Sequence, residues 1–441
     1  MIQLNETHES SRRSWVGSAN DTNTDFPIQN LPFGVFQRSG DAPRGGVAIG
    51  DQIFDLQLGL KAGLFSGEAS QAAQAAAGPT LNSLLDVGPR AASHLRTRLS
   101  ELLRVGGPDE ARRMADALLV PSNQARLLRP IQLTAFTDFS CSLNHIGRMS
   151  HGNPWPVLHH LPVAYNGRAS SVAVSGTEVR RPNGQSAFPP GTQRFFGAEP
   201  ALDFELEFGA YISGGNPQGR PLSLDEAATR LFGYCLVNDW SARGIQMFEK
   251  MLGPFLGKSF LTSVSPWIVT DEALWPFKIE RTARQSDQPS VPAHLDSPLN
   301  RATGGLDIDL EAYLATAKML AAGDRPVRIV RTNFKHMYWT MAQMVAHQAS
   351  NGCNLQSGDL IASGTASGPD DEARACLMEM TYAAEENLKL PNGETRMWLE
   401  DGDELQIRAR ASRDGFVSIG FGPCDGHVIP ALSYPAPVEG G

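Results

Sequence analysis

Glu205 and Glu207 stand two residues apart in Leu202-Asp203-Phe204-Glu205-Leu206-Glu207-Phe208, a segment that alternates acidic and apolar side chains. A period of two predicts a strand that sends both carboxylates to one face and Phe204, Leu206 and Phe208 to the other. Like charges held side by side repel, so the arrangement needs a reason. A hard divalent cation supplies one, because it takes several oxygen ligands and neutralises the pair. The alternative is a solvated strand face. Two further acids favour the cation. Asp138 lies between aromatics in Phe136-Thr137-Asp138-Phe139, and Asp239 ends the apolar run 231–237 beside Trp240. An acid at the end of a buried strand is either paired or metal-bound, and Arg243 just beyond is a candidate for a plain ion pair with Asp239. Four acids without a surrounding His/Cys cluster specify calcium or magnesium over zinc.

Seven residues after Asp138 comes His145, followed by Arg148. A histidine beside a metal site can take a proton from water at neutral pH. Lys258 stands alone among apolar and glycine residues in Gly253-Pro254-Phe255-Leu256-Gly257-Lys258-Ser259-Phe260. It is either a snorkelling surface residue or a partly buried cation aimed at an anion. Gly364-Thr365-Ala366-Ser367-Gly368-Pro369 follows a short apolar run, and its backbone amides are candidates to bind a carboxylate, although it lacks the P-loop pattern.

The elements that must position these residues read as mostly β with some α. The chain has 441 residues, enough for a large core and two domains, and its 43 Gly and 30 Pro point to many turns and short strands. Residues 1–24 are polar and are expected to form a loose extension. Residues 25–126 read as a small β domain with a helical appendage: a hairpin around Gly50-Asp51, then leucines at helical spacing between 79 and 119. Residues 127–441 form the larger part, where residues 333–350 are expected to be one helix with Phe334, Met337, Tyr338, Met341, Met344 and Val345 on one face. His336 and His347 on that helix receive no role. Residues 276–305 are polar and Pro-rich, hence a surface excursion.

A net charge of -9 and the absence of a basic run argue against a nucleic-acid partner. Five cysteines with no close pair suggest a reduced, cytoplasmic protein without a disulfide framework. No apolar run reaches membrane-spanning length.

Taken together and in order, several segments resemble the fumarylacetoacetate hydrolase family. They include Asp25-Phe26-Pro27-Ile28-Gln29-Asn30-Leu31-Pro32-Phe33-Gly34, Asn238-Asp239-Trp240-Ser241-Ala242-Arg243, Gly253-Pro254-Phe255-Leu256-Gly257-Lys258-Ser259-Phe260 and Met337-Tyr338-Trp339-Thr340-Met341. The resemblance spans nearly the whole chain. It implies a small N-terminal SH3-like β-barrel domain, a larger C-terminal mixed β-roll domain, and a homodimer. It also implies Ca2+ with Mg2+, and hydrolysis of a carbon–carbon bond in 4-fumarylacetoacetate, the last step of tyrosine and phenylalanine catabolism.

By matching motifs, the resemblance puts the active-site metal on Asp138, Glu205, Glu207 and Asp239, and a second ion near Asp239, Lys258 and Thr262. It makes His145 the proton acceptor and Glu379 its partner, with Arg243, Gln246 and Lys258 as stabilisers of developing negative charge. Tyr165, Gln246 and Thr365 would touch a small anionic diketo-acid substrate, with Arg148 as the matching arginine. Ser140 and Lys250 occupy substrate-contact positions where the family has tyrosine, and Leu261 replaces a family glycine. Two rival readings follow: a related acylpyruvate or diketo-acid hydrolase, and a non-catalytic metal-stabilised binding protein.

Overall fold

The computed structural model describes residues 4–187 and 192–434. Its main feature is a mixed sheet of 13 strands among the described residues. Along its path lie Leu119–Pro121, Gln52–Asp55, Arg44–Ile49, Phe33–Gln37, Trp267–Thr270, Leu231–Asp239, Leu206–Ile212, Leu360–Ala362, Phe136–Ser140 and Val163–Asn166. The last five of these are consecutive neighbours, so the acids and the tyrosine they carry meet at one part of the sheet. Thr262–Val264 adds to the Leu231–Asp239 strand, with Thr262 opposite Asp239.

All nine residues of Leu231–Asp239 and all seven of Leu206–Ile212 are buried. Both strands are therefore covered on two faces, as their apolar runs require. A second sheet contains Val327–Asn333, Ile308–Ala315, Glu404–Ala411, Cys424–Ile429 and Val179–Arg180. In Glu404–Ala411 every second residue is buried, the mark of a strand with one face on the core. Trp240, Phe204, Phe208 and Phe421 belong to the large core that this packing encloses.

The N-terminal strands run open into the large sheet through the pairing of Phe33–Gln37 with Trp267–Thr270, so the expected SH3-like barrel is not closed among the described strands. The polar N-terminal segment is not loose from Leu4 onward. Asn5 caps the turn Glu6–His8, His8 Nε2 lies 2.8 Å from the Glu272 carbonyl, and Ser14 Oγ donates to the Leu103 carbonyl at 2.8 Å. Polar composition here serves hydrogen bonds to the protein rather than to water.

The expected helix over 333–350 is two pieces, a 3-10 turn Phe334–His336 and a helix Met341–Ala349. Thr340 forms a capping box with Gln343, which starts the helix late. The helical texture also begins earlier than expected, at Leu56–Lys61 and Gly67–Ala76, before the kinked helix Asn82–Leu103. The hairpin around Gly50-Asp51 joins Arg44–Ile49 to Gln52–Asp55 as read.

Candidate active site

The expected continuous strand through Leu202 to Phe208 is broken. Leu202–Asp203 pairs with Ser241–Ala242, Phe204 and Glu205 lie between strands, and Leu206–Ile212 then joins the large sheet. The interruption still leaves the two glutamates together. Carboxylate oxygens of Asp138, Glu205, Glu207 and Asp239, one from each residue, lie within 4.8 Å of one another, and all four residues are buried. Asp138 comes from the strand Phe136–Ser140, which runs parallel to Leu360–Ala362. Asp239 is the last residue of its strand.

Two buried cations face this cluster. Lys258 Nζ lies 2.6 Å from Glu205 Oε2 and 2.7 Å from Asp239 Oδ2. Arg243 reaches Glu205 Oε1 at 2.7 Å through NH1 and Asp203 Oδ2 at 2.7 Å through NH2. Lys258 is therefore the buried cation of the two alternatives, and it brings an ammonium rather than a lone pair to the expected second-ion position. Burial depresses its pKa, but Asp239 and Glu205 outweigh burial and hold it above the ordinary lysine value. Gly257, just before Lys258, packs against Gln246 where a Cβ would lie 2.5 Å from Gln246 Cβ and 2.7 Å from its amide nitrogen.

Charge does not balance over the cluster. Burial and the neighbouring Asp239 raise the pKa of Asp138 well above the usual carboxylate value. Burial, Asp138 and Asp239 do the same for Glu207. Glu205 goes the other way: burial would raise it, but Lys258 and Arg243 outweigh burial and hold it low. Oδ1 of Asp138 and both carboxylate oxygens of Glu207 are buried without a hydrogen-bond donor. Buried oxygens of this kind are costly unless a cation or proton serves them. The residues thus fit a divalent cation with oxygen ligands.

Beside the cluster, His145 Nδ1 lies 2.6 Å from Glu379 Oε1. His145 rides on the helix Leu143–Met149, whose cap, Ser142, accepts from the His145 amide and donates to the Ser367 carbonyl at 2.8 Å. Glu379 lies in the turn Leu377–Met380 and also accepts from Ser367 Oγ at 2.6 Å and Arg148 NH1 at 2.9 Å. Burial raises its pKa, but His145, Ser367 and Arg148 together lower it to about 2.

The other expected residues are placed less uniformly. Tyr165 donates to Asp239 Oδ2 at 2.6 Å, Thr262 to Asp239 Oδ1 at 2.8 Å, and Gln246 accepts from Arg243 at 3.1 Å. Thr365 is buried in its loop, and Ser140 is half-buried two residues beyond Asp138. Arg148 is not a free grip for substrate. Besides Glu379, its guanidinium serves the carbonyls of Gly368, Pro369 and Asp370. Lys250 is exposed, and its ammonium lies 3.9 Å from the Met247 sulfur.

In the glycine-rich loop the amides of Ala366, Ser367 and Gly368 already donate to the carbonyls of Leu206, Thr365 and Ala373, so these three are not open to an anion. Two residues of the site carry no role in the sequence pattern: Ser367, one member of the small-residue loop, and Asp203, which sits in the same acidic alternation two places before Glu205.

Similarity to known proteins agrees with this geometry. Residues 134–429 match the model for the fumarylacetoacetate hydrolase C-terminal domain, and residues 29–130 that for the fumarylacetoacetase N-terminal domain. The chain is 42% identical to the fumarylacetoacetase of Oryza sativa subsp. japonica, over 97% of this chain and 99% of that one. It is equally 42% identical to the enzymes of Bos taurus, over 96% and 100%, and Homo sapiens, over 95% and 99%. With both segments matched and near-complete coverage of these relatives, the chain belongs to the fumarylacetoacetate hydrolase family.

Proposed function

We propose that this protein hydrolyses the carbon–carbon bond of 4-fumarylacetoacetate to fumarate and acetoacetate, the closing step of tyrosine and phenylalanine breakdown. One observation carries the reading: a buried carboxylate cluster, only partly neutralised by Lys258 and Arg243, lies near a buried His145–Glu379 pair. Asp138, Glu205, Glu207 and Asp239 would hold Ca2+ or Mg2+, and such a cation, when bound, polarises a carbonyl and steadies enolate-like charge.

The chain's own groups then divide the work. Glu379 keeps a proton on Nδ1 of His145, so Nε2 holds the lone pair and accepts a proton from water. The ionised Glu379 stabilises the imidazolium that results. Hydroxide adds to the carbonyl carbon, the carbon–carbon bond breaks, and the proton held by His145 passes to the departing carbon. Arg243, Gln246 and Lys258 stabilise the transient negative oxygen, each such donor contributing about 3 kcal/mol. Tyr165 and Thr365 are the proposed substrate contacts. Ser140 shares the face of Asp138 on its strand and Lys250 follows the Arg243–Glu249 helix; these two adjust substrate preference.

The reading includes a homodimer, a two-part division near residue 126 with an opened SH3-like N-terminal part, and a cytoplasmic location, which suits the five free cysteines. Met251, Leu252 and Phe255, exposed by 94%, 103% and 68%, form an apolar loop suited to a second copy of the chain. Leu252→Glu should then lower the sedimenting mass to that of one chain; a wild-type mass would remove this surface from the interface.

The deciding assay is ultraviolet bleaching by the purified protein with Ca2+ or Mg2+. Fumarylacetoacetate should be consumed faster than shorter diketo acids. Preference for a shorter substrate would assign the chain to the related diketo-acid hydrolases, and no turnover of either would leave a metal-stabilised binding protein.

A further inference from the structure

The two halves of the site are carried by different elements, and one buried residue touches both. On the cluster side, Asp203 Oδ2 accepts from Arg243 Nε at 2.8 Å and forms an ion pair with NH2 at 2.7 Å, while NH1 of the same guanidinium holds Glu205. On the other side, Asp203 Oδ1 accepts the Leu377 amide at 2.7 Å and Oδ2 the Met378 amide at 3.1 Å. These are the first two amides of Leu377–Met380, the turn that carries Glu379. The residue before that turn, Cys376, gives it no side-chain cap. Asp203 therefore supplies the cap from a distant strand. It also accepts the Phe204 amide at 2.8 Å, and no part of it is exposed. Its strand pairs with Ser241–Ala242, which leads directly into the Arg243–Glu249 helix.

The geometry points to Asp203 as a positioning residue that fixes the spacing between the carboxylate cluster and the His145–Glu379 pair. Only an ionised carboxylate accepts from a guanidinium fork and three backbone amides at once, whereas an asparagine would turn an NH2 toward one of those donors. Arginine is needed opposite for a similar reason. Its planar guanidinium reaches Asp203 through Nε and Glu205 through NH1, two nitrogens at a fixed separation that the single nitrogen of a lysine does not provide. Displacement of Glu379 would tilt His145 away from the water it must deprotonate, a fault expected in turnover more than in binding.

The kinetic part of the test rests on the proposed hydrolysis; the spectroscopic part does not. In Asp203→Asn, kcat on fumarylacetoacetate should fall at least about tenfold, with KM and calcium affinity changed less than about threefold. The strongly deshielded proton on His145 Nδ1, assigned by its absence in His145→Ala, should shift or exchange faster. Arg243→Lys should alter the same resonance without any substrate present.

An unchanged resonance in both folded variants overturns the proposal. So does a loss of kcat matched by equal losses in calcium affinity and melting temperature, which marks general damage. Should Asp203→Asn fail to fold, Arg243→Lys decides alone, and its unaltered resonance overturns the proposal. Should the wild type leave fumarylacetoacetate untouched, the hydrolysis reading fails while the resonance still tests Asp203.

Discussion

His145 Nδ1 and Glu379 Oε1 are 2.6 Å apart and come from segments 234 residues distant in sequence. The carboxylate is held on its remaining sides by Ser367 and Arg148, so it has one orientation available to it. A histidine oriented in this way is the part of the site most directly tested by mutation.

His145→Ala should reduce turnover by about 10²–10⁴-fold, the usual contribution of a general base. Circular dichroism and calorimetric calcium titration should match the wild type, because His145 is not among the four clustered acids. Near wild-type turnover would remove the base assignment.

Glu207→Gln should have opposite effects on stability and on metal binding. Both carboxylate oxygens of Glu207 are buried without donors, and Asp138 and Asp239 repel its charge. Without metal, the variant should melt higher than the wild type. With calcium, it should bind about tenfold more weakly or worse, since cation sites are tuned by ligand charge.

Metal affinity should rise with pH. Asp138 and Glu207 have folded pKa values raised above those of the unfolded chain, so the metal-free fold loses stability as pH rises from the unfolded toward the folded values. Cation binding needs both groups ionised and releases their protons. Calorimetry in buffers of different ionisation enthalpy should detect proton release that shrinks as pH increases; none at any pH would contradict the protonated cluster.

Glu379 gives the opposite sign. Its pKa falls from 4.5 to about 2 on folding, so its stabilisation is complete above about 4.5 and is lost as pH falls through about 2. That shift corresponds to about 3 kcal/mol. Denaturant melts of Glu379→Gln should show a flatter decline between these pH values than the wild type does.

Gly364→Ala should destabilise the fold by about 1–3 kcal/mol or more and lower activity. Gly364 has φ of 76°, and a Cβ there would stand 2.1 Å from the carbonyl oxygen of Phe139, the residue next to Asp138. A thermal melt within a degree of wild type would show that the loop can move aside.

Some of this protein was decided locally. The alternation around Glu205 and Glu207, the apolar run ending in Asp239 and the aromatics beside Asp138 each announced a buried acid, because an apolar strand leaves its acids few exits. The hairpin at Gly50-Asp51 was legible for the same reason: turn chemistry is short-range. Other features were decided only in three dimensions. Arg148 read as a substrate grip until the fold placed Glu379 and three carbonyls around it. Three amides of the glycine-rich loop looked open until the fold paired them with the carbonyls of Leu206, Thr365 and Ala373. Asp203 shared the acidic alternation but not its role, and Ser367 gave no signal, since a side chain's hydrogen-bond partners across 174 or 12 residues depend on packing that no local pattern encodes. The N-terminal segment was polar enough to read as loose, yet its polar groups pair with Glu272 and Leu103, which only the folded chain brings near. Residue type determined which chemistry was available, and long-range contacts determined which groups were free to perform it.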